Sequence, residues 1–222
     1  MVKGLYIKMI NVNTLTKKEI LSRWNFKCEH RHNGLTHPSC YLEGNLKICY
    51  FDLEATNLKA TFGITLSTAV KQQDGNVLIN SLPPNFQENG YDRQVIKRTI
   101  DILKQYNVVV TYYGTWFDIP FLRTRAWKLG LDFPKFGDIV HIDLYPQVKR
   151  LMSLQRRRLD NACAIFDIHG KTHLDPDIWI AAMCGDKHSL EYIIEHNKQD
   201  VIILEELHKQ LNMYIPRIKK SI

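Results

Sequence analysis

This sequence predicts an α/β layered domain built on a mixed five-stranded sheet flanked by helices, and three observations carry that reading. Three β-branched and aromatic runs follow one another between residues 47 and 82, two later runs are each reached through helical periodicity, and the chain beyond Leu144 is mostly helical in pattern. Three strands in a meander followed by two reached through helices need both antiparallel and parallel pairs in one sheet. No internal repeat or low-complexity linker interrupts the order.

The elements follow from local chemistry. Thr16, Lys17, Lys18 and Glu19 have the capping-box spacing and introduce a short helix through Trp24. Strands are expected over 47–53, 62–70 and 76–82, with Asp74-Gly75 as the hairpin turn between the last two. A helix over 91–106 precedes the buried-type run from Val108, and Gly114 follows where the chain must turn. A helix then starts near Asp118 and reaches Leu129, with Pro120 tolerated in its first turn. Phe136 to Leu144 reads as the fifth strand. We place the layered domain at 47–222 and treat 1–46 as an N-terminal helix with a Cys/His-rich segment.

Composition excludes several classes. A chain of 222 residues with 45% hydrophobic content can bury a sizeable core. No apolar stretch approaches the roughly 20 residues that span a bilayer, and the start lacks a signal-peptide pattern, so a soluble, cytoplasmic protein without membrane contact is expected. Five scattered cysteines do not form a disulfide framework and point to a reducing compartment. Cys163 and Cys184 lie in apolar helical contexts and read as small core residues. The net charge of +7 favours a polyanionic partner. Positive charge is dense at Lys149-Arg150 and at Arg156-Arg157-Arg158, where it would grip phosphates or simply form a solvated face.

Acidic residues supply the candidate chemistry. Asp52 and Glu54 end the run Leu46 to Phe51, and alternation along a strand puts both on one face, where they repel unless a cation lies between them. Asp118 begins the helix after Gly114, close to its positive end, where capping alone would account for it. His196 and Asp200 are four apart in an amphipathic run from Tyr192 to Leu204, so they share a helical face.

Together, Phe51-Asp52-Leu53-Glu54, Phe117-Asp118-Ile119-Pro120-Phe121-Leu122 and His196-Asn197-Lys198-Gln199-Asp200-Val201 resemble, in order and separation, the three motifs of the DEDD superfamily of 3'-5' exonucleases. The nearest likeness is to stand-alone RNase H-like domains related to the proofreading domain of family B DNA polymerases, over about Lys47 to Leu211. The resemblance implies an RNase H-like fold and 3'-5' hydrolysis of single-stranded DNA or RNA. It also implies that His196 takes the place of the water-orienting Tyr, which in relatives has the same three intervening residues before the last Asp. Where relatives carry Asn before the Gly of the second motif, this chain has Tyr113.

The residue chemistry agrees with that expectation. Four carboxylates can hold two divalent cations roughly 4 Å apart for in-line displacement at phosphorus. Oxygen ligands suit magnesium or manganese. On this reading Asp52 bridges both ions, Glu54 and Asp200 hold the one beside the nucleophile, and Asp118 supports the other through water. Tyr113 and Trp116 would stack on bases of a single strand near its 3' end, although Trp116 is equally a core residue by type. The competing reading is a nucleic-acid-binding or adaptor module that keeps the fold with little or no catalysis.

Cys28 to Cys40 forms a separate cluster of soft ligands. A structural zinc on Cys28, His32, His37 and Cys40 is preferred because three residues between Cys28 and His32 span a metal more easily than the one before His30. A loop that is merely His-rich is the other reading.

Overall fold

Strands β1 (Ile48–Ala55), β2 (Thr65–Gln72), β3 (Val77–Ser81), β4 (Val108–Thr111) and β5 (Val140–Asp143) form one sheet in the order β3-β2-β1-β4-β5 in a computed structural model. It describes residues 16–27, 31–33, 46–84, 86, 92–170, 175–212 and 214. Pairs β3-β2 and β2-β1 are antiparallel, whereas β1-β4 and β4-β5 are parallel. The meander therefore lies on one side of β1 and the helix-connected strands on the other, and the sheet is mixed as expected.

Helices α1 (Lys17–Asn25), α2 (Arg93–Leu103), α3 (Asp118–Lys128), α4 (Tyr145–Leu151), α5 (Leu159–Ala164), α6 (Pro176–Met183) and α7 (Lys187–Leu211) complete the order. Packing divides the chain into two compact units, residues 47–210 and residues 1–46 with 211–222. The first unit holds the sheet and α2 to α6 with nearly all of α7; among its described residues, none belongs to a helix long and apolar enough to cross a membrane. In the second unit the described helix is α1, which exposes Leu21 and Trp24.

Alternation along β1 divides the core. Cys49, Phe51, Leu53 and Ala55 join a cluster with Ile96, Ile100 and Leu103 of α2 and Phe121, Leu122 and Ala126 of α3. The intervening side chains Tyr50, Asp52 and Glu54 meet His208, Asn197 and His196 of α7 in turn. One strand thus buries an apolar face and offers a polar one to a single long helix.

Polar ties fix the helices. Asp92 and Arg125 form an ion pair with both side chains almost wholly buried, and Asp92 Oδ2 also accepts from the Thr65 backbone N–H at 2.8 Å. That one carboxylate joins β2, the start of α2 and α3. At the hairpin, Glu205 accepts from Lys71 Nζ at 2.7 Å and from the Asp74 N–H at 2.7 Å, so α7 is held to the β2–β3 turn.

Several expected boundaries move inward. Phe62 is exposed because the N–H groups of Phe62 and Gly63 both donate to Lys59 O, at 3.2 and 2.8 Å, and this turn delays β2 to Thr65. Phe136 is fully exposed, since the Lys135 N–H donates to Asp138 Oδ2 at 2.8 Å and Gly137 adopts φ 95°, so β5 begins at Val140. In both places a local side-chain or turn bond outweighs β propensity. Cys163 is a core residue as expected, but Cys184 is exposed at the end of α6. Of the zinc candidates, His32 is described and exposed, while Cys28, His37 and Cys40 lie outside the described residues.

Candidate active site

The carboxyl ends of parallel strands are where open α/β sheets place ligands, because helices leave a crevice there. Here Asp52 and Glu54 end β1, the Tyr113 to Phe117 turn leaves β4, and Asp143 ends β5. A register irregularity falls between Glu54, paired with Ser67, and Ala55, paired with Thr65, and such bulges re-aim side chains at sites of this kind.

Asp118 reaches this strand end from α3. Its Oδ1 accepts from the backbone N–H of Leu53 at 3.0 Å, the peptide between Asp52 and Glu54. It does not cap its own helix through its side chain: Phe117 occupies the cap position. Burial, and then the negative charge of Asp52, push the Asp118 carboxyl well above the ordinary carboxylate range, against hydrogen bonds from the backbone N–H groups of Asp118 and Leu53.

From α7, His196 Nε2 stands 3.7 Å from Glu54 Oε1 and 3.8 Å from Asp200 Oδ2. These are ion-pair separations, with His196 only 5% exposed and Asp200 6%. Asn197, fully buried, donates Nδ2 to Asp52 Oδ2 at 2.6 Å and accepts from Ser67 Oγ at 3.0 Å. Ser67 pairs with Glu54 across the sheet and Ala69 pairs with Asp52, so the small Ala69 leaves room for the helix to approach.

All five residues expected in the catalytic set therefore share this corner through direct contacts or one intervening residue. The donors are hard oxygens, and the Asp52 charge that raises Asp118 is a repulsion a divalent cation would relieve, so the side chains suit such an ion chemically. Among the described residues, however, no three His, Cys, Asp or Glu side chains are gathered closely enough to hold one metal ion. His196 stands between Glu54 and Asp200, Asn197 ties Asp52 to Ser67, and the Leu53 N–H holds Asp118.

Beside the acids lies an aromatic group. Tyr145 meets Tyr113, Trp116 and Tyr112 edge to face, at centroid distances of 4.9, 5.8 and 5.9 Å, and Tyr113 lies 5.2 Å from Trp116. Tyr113 and Trp116 remain 46% and 53% exposed, so Trp116 is not core. Asp143 accepts from the N–H groups of Tyr113 and Thr115 at 2.9 Å each, and of Tyr145 at 3.0 Å. Gly114 is required in this turn, because a Cβ there would overlap the Thr111 side chain. Arg156, Arg157 and Arg158 are exposed, and Tyr112 Oη donates to Arg157 O at 2.7 Å, which fastens their segment to the end of β4.

Sequence reasoning does not single out Ser67, Asn197 or Tyr145, and for Asp143 it leaves approach to the metal site and a polar strand edge equally open. Asn197 carried a readable signal: three residues before Asp200, it shares that residue's helical face. Asp143 carried another, as an acid ending a strand that runs parallel to β4.

Comparison with known proteins identifies the family of the fold. A family model described as the RNase H superfamily matches residues 49–212, well over half of the chain. A DNA polymerase of Methanocaldococcus jannaschii is 30% identical over 140 residues, covering 52% of this chain and 8% of that protein. A DNA polymerase of Thermococcus litoralis is 28% identical over 144 residues, covering 54% of this chain and again 8% of the relative. DNA polymerase 1 of Pyrococcus abyssi is 26% identical over 147 residues and is covered over 18% of its length, so this chain spans less than a fifth of such curated relatives. The structure of the family B DNA polymerase from Pyrobaculum calidifontis shares the fold, with a TM-score of 0.63 and 22% identity over 75% of this chain and 24% of that one. With its mixed five-stranded sheet, its motif order and a family match that runs from β1 to the end of α7, the chain belongs to the RNase H superfamily.

Proposed function

We propose that this chain is a metal-dependent 3'-5' exonuclease that hydrolyses phosphodiester bonds of single-stranded DNA or RNA. The observation that carries the reading is the Asp118 carboxylate bound to the Leu53 N–H, which brings the second acidic segment between Asp52 and Glu54. His196, within ion-pair reach of both Glu54 and Asp200, ties in the third.

In this reading Asp52, Glu54, Asp118 and Asp200 hold two magnesium or manganese ions. The chemistry such a pair supplies is activation of the attacking water and neutralisation of charge on the leaving 3'-oxygen. His196 orients that water or takes its proton, an imidazole being able to accept one near neutral pH. Tyr113 and Trp116 contact bases, and Arg156, Arg157 and Arg158 contact phosphates, which also makes binding salt-dependent. A structural zinc on Cys28, His32, His37 and Cys40 belongs to the same proposal, and metal analysis of replete protein tests it.

The decisive assay incubates 5'-labelled single-stranded DNA and RNA with manganese or magnesium, alongside Asp118→Ala. A ladder that shortens from the 3' end and vanishes in the variant is expected. Discrete internal cuts would instead make the enzyme an endonuclease. Binding without cleavage, equal in both proteins, would overturn the catalytic reading in favour of a binding module.

A further inference from the structure

The aromatic group at the end of β4 is built with more constraint than packing requires. Tyr113 has φ 66°, a backbone region that L-residues other than Asn and Asp rarely occupy. It is held there by Asp143, a buried carboxylate on which the N–H groups of Tyr113, Thr115 and Tyr145 converge. Strain of this kind persists where the surroundings over-determine it, and it gathers at functional sites. What Asp143 fixes is the placing of Tyr113, at one end of the turn, beside Tyr145, at the start of α4. Tyr145 then serves as the common edge against which Tyr112, Tyr113 and Trp116 are set. The outcome is a rigid aromatic surface left about half open to water at Tyr113 and Trp116.

We infer that Tyr113, Trp116 and Tyr145, organised by Asp143, form a stacking site for one unpaired nucleobase of the bound strand, with Asp143 a positioning residue rather than a metal ligand. The inference rests on the nucleic-acid reading proposed above, and it adds Tyr145 and Asp143 to the two aromatic residues named there. Two neighbours choose the occupant. The Arg157 carbonyl accepts from Tyr112 Oη, so the segment that carries the exposed Arg156, Arg157 and Arg158 adjoins the aromatic group, and its charge is what a phosphate backbone complements. Trp116 stands two residues before Asp118, so the turn that carries the rings runs directly into the helix that begins at this acid. An aliphatic or membrane partner would account for neither neighbour. Stacking uses the π face that every base has, so the site tolerates any base but needs one to be present.

The test compares two 5'-fluorescein DNA dodecamers by anisotropy in EDTA, one normal and one whose 3'-terminal nucleotide is an abasic tetrahydrofuran, with the same pair in RNA. Wild-type protein is expected to bind the abasic strand about tenfold more weakly. Trp116→Leu and Tyr145→Leu, which alter partly exposed positions, are expected to keep their melting temperatures and to bind both strands with the same reduced affinity. Arg157→Ala is expected to weaken both strands by the same factor and to preserve their ratio. Equal wild-type affinity for normal and abasic strands overturns the stacking site while leaving the nucleic-acid reading intact. Absence of binding to any strand overturns both.

Discussion

Asn197 holds the carboxylate of Asp52: its Nδ2 donates to Asp52 Oδ2 at 2.6 Å, and its Oδ1 accepts from Ser67 Oγ at 3.0 Å. Because Ser67 engages the amide oxygen, the amide nitrogen is the end turned toward Asp52. Both Asn197 and Ser67 are fully buried, so this orientation is part of the packed structure. Groups that orient a ligand from behind typically matter about 10–100-fold for metal affinity or activity. Asn197→Leu keeps the branched side-chain skeleton and removes the donor. It is expected to lower kcat by about that factor and to weaken manganese binding by calorimetry, with KM for the oligonucleotide unchanged. A folded Asn197→Leu protein with wild-type kcat and manganese affinity would remove Asn197 from the site.

Asp118 links stability to catalysis with opposite signs. Its folded carboxyl is raised by burial and by Asp52, so the folded state holds the proton more tightly than the unfolded chain does. Its contribution to stability is therefore complete at low pH. That contribution is lost as pH rises from the ordinary carboxylate range to the raised value, and the penalty is full above it. Asp118→Asn keeps an oxygen for the Leu53 N–H and deletes the charge. In EDTA at neutral pH this variant is expected to melt higher than wild type while showing no turnover. Manganese is expected to raise the wild-type melting temperature and leave that of the variant unchanged. A variant that melts lower than wild type in EDTA would contradict the charge repulsion.

Much of this was legible in the sequence, and the limits have physical causes. The parity of β1 was readable, since Asp52 and Glu54 had to share a face opposite Leu53, and α7 does cover that face. That antiparallel and parallel pairs share one sheet followed from which runs were joined by helices. Phe62 and Phe136 misled because aromatic residues favour strands, whereas bonds to Lys59 O and Asp138 Oδ2 turn the chain at both places. Trp116 was ambiguous for a related reason: residue type does not tell a packed indole from one that a constrained turn lifts into solvent. Contacts such as Ser67 with Asn197 join residues 130 positions apart, and only the register of β2 against β1 brings them together.

His208 sets an acid limit on the fold that is separable from the carboxylates. Burial pushes its pKa down to about 4, and its Nδ1 lies 3.1 Å from the hydroxyl of Tyr50 on β1. The unfolded imidazole takes a proton near about pH 6.5 while the folded one resists it. The stability it contributes is therefore full above about 6.5 and is lost as pH falls toward about 4, a loss on the order of 3 kcal/mol. Urea midpoints measured across that window are expected to fall for wild type and to change much less for His208→Asn. Equal slopes in the two proteins would show that His208 does not titrate as its burial requires.

The Asp92–Arg125 pair connects the core to the site. Arg125 lies seven residues, two helical turns, beyond Asp118 on α3, and Asp92 fastens it to the start of α2 and to the Thr65 N–H of β2. Removing one partner leaves the other charge buried, which costs roughly 3–5 kcal/mol. Asp92→Ala is expected to lose about that much in urea unfolding. Asp92→Asn, which can still accept from Thr65, is expected to lose less and to remain folded at room temperature. The pair also fixes how α3 presents Asp118 to Leu53. The folded Asp92→Asn protein is therefore expected to show a lower kcat with little change in KM, although Asp92 touches none of the acids at the end of β1. Wild-type kcat in that variant would confine the pair to stability alone.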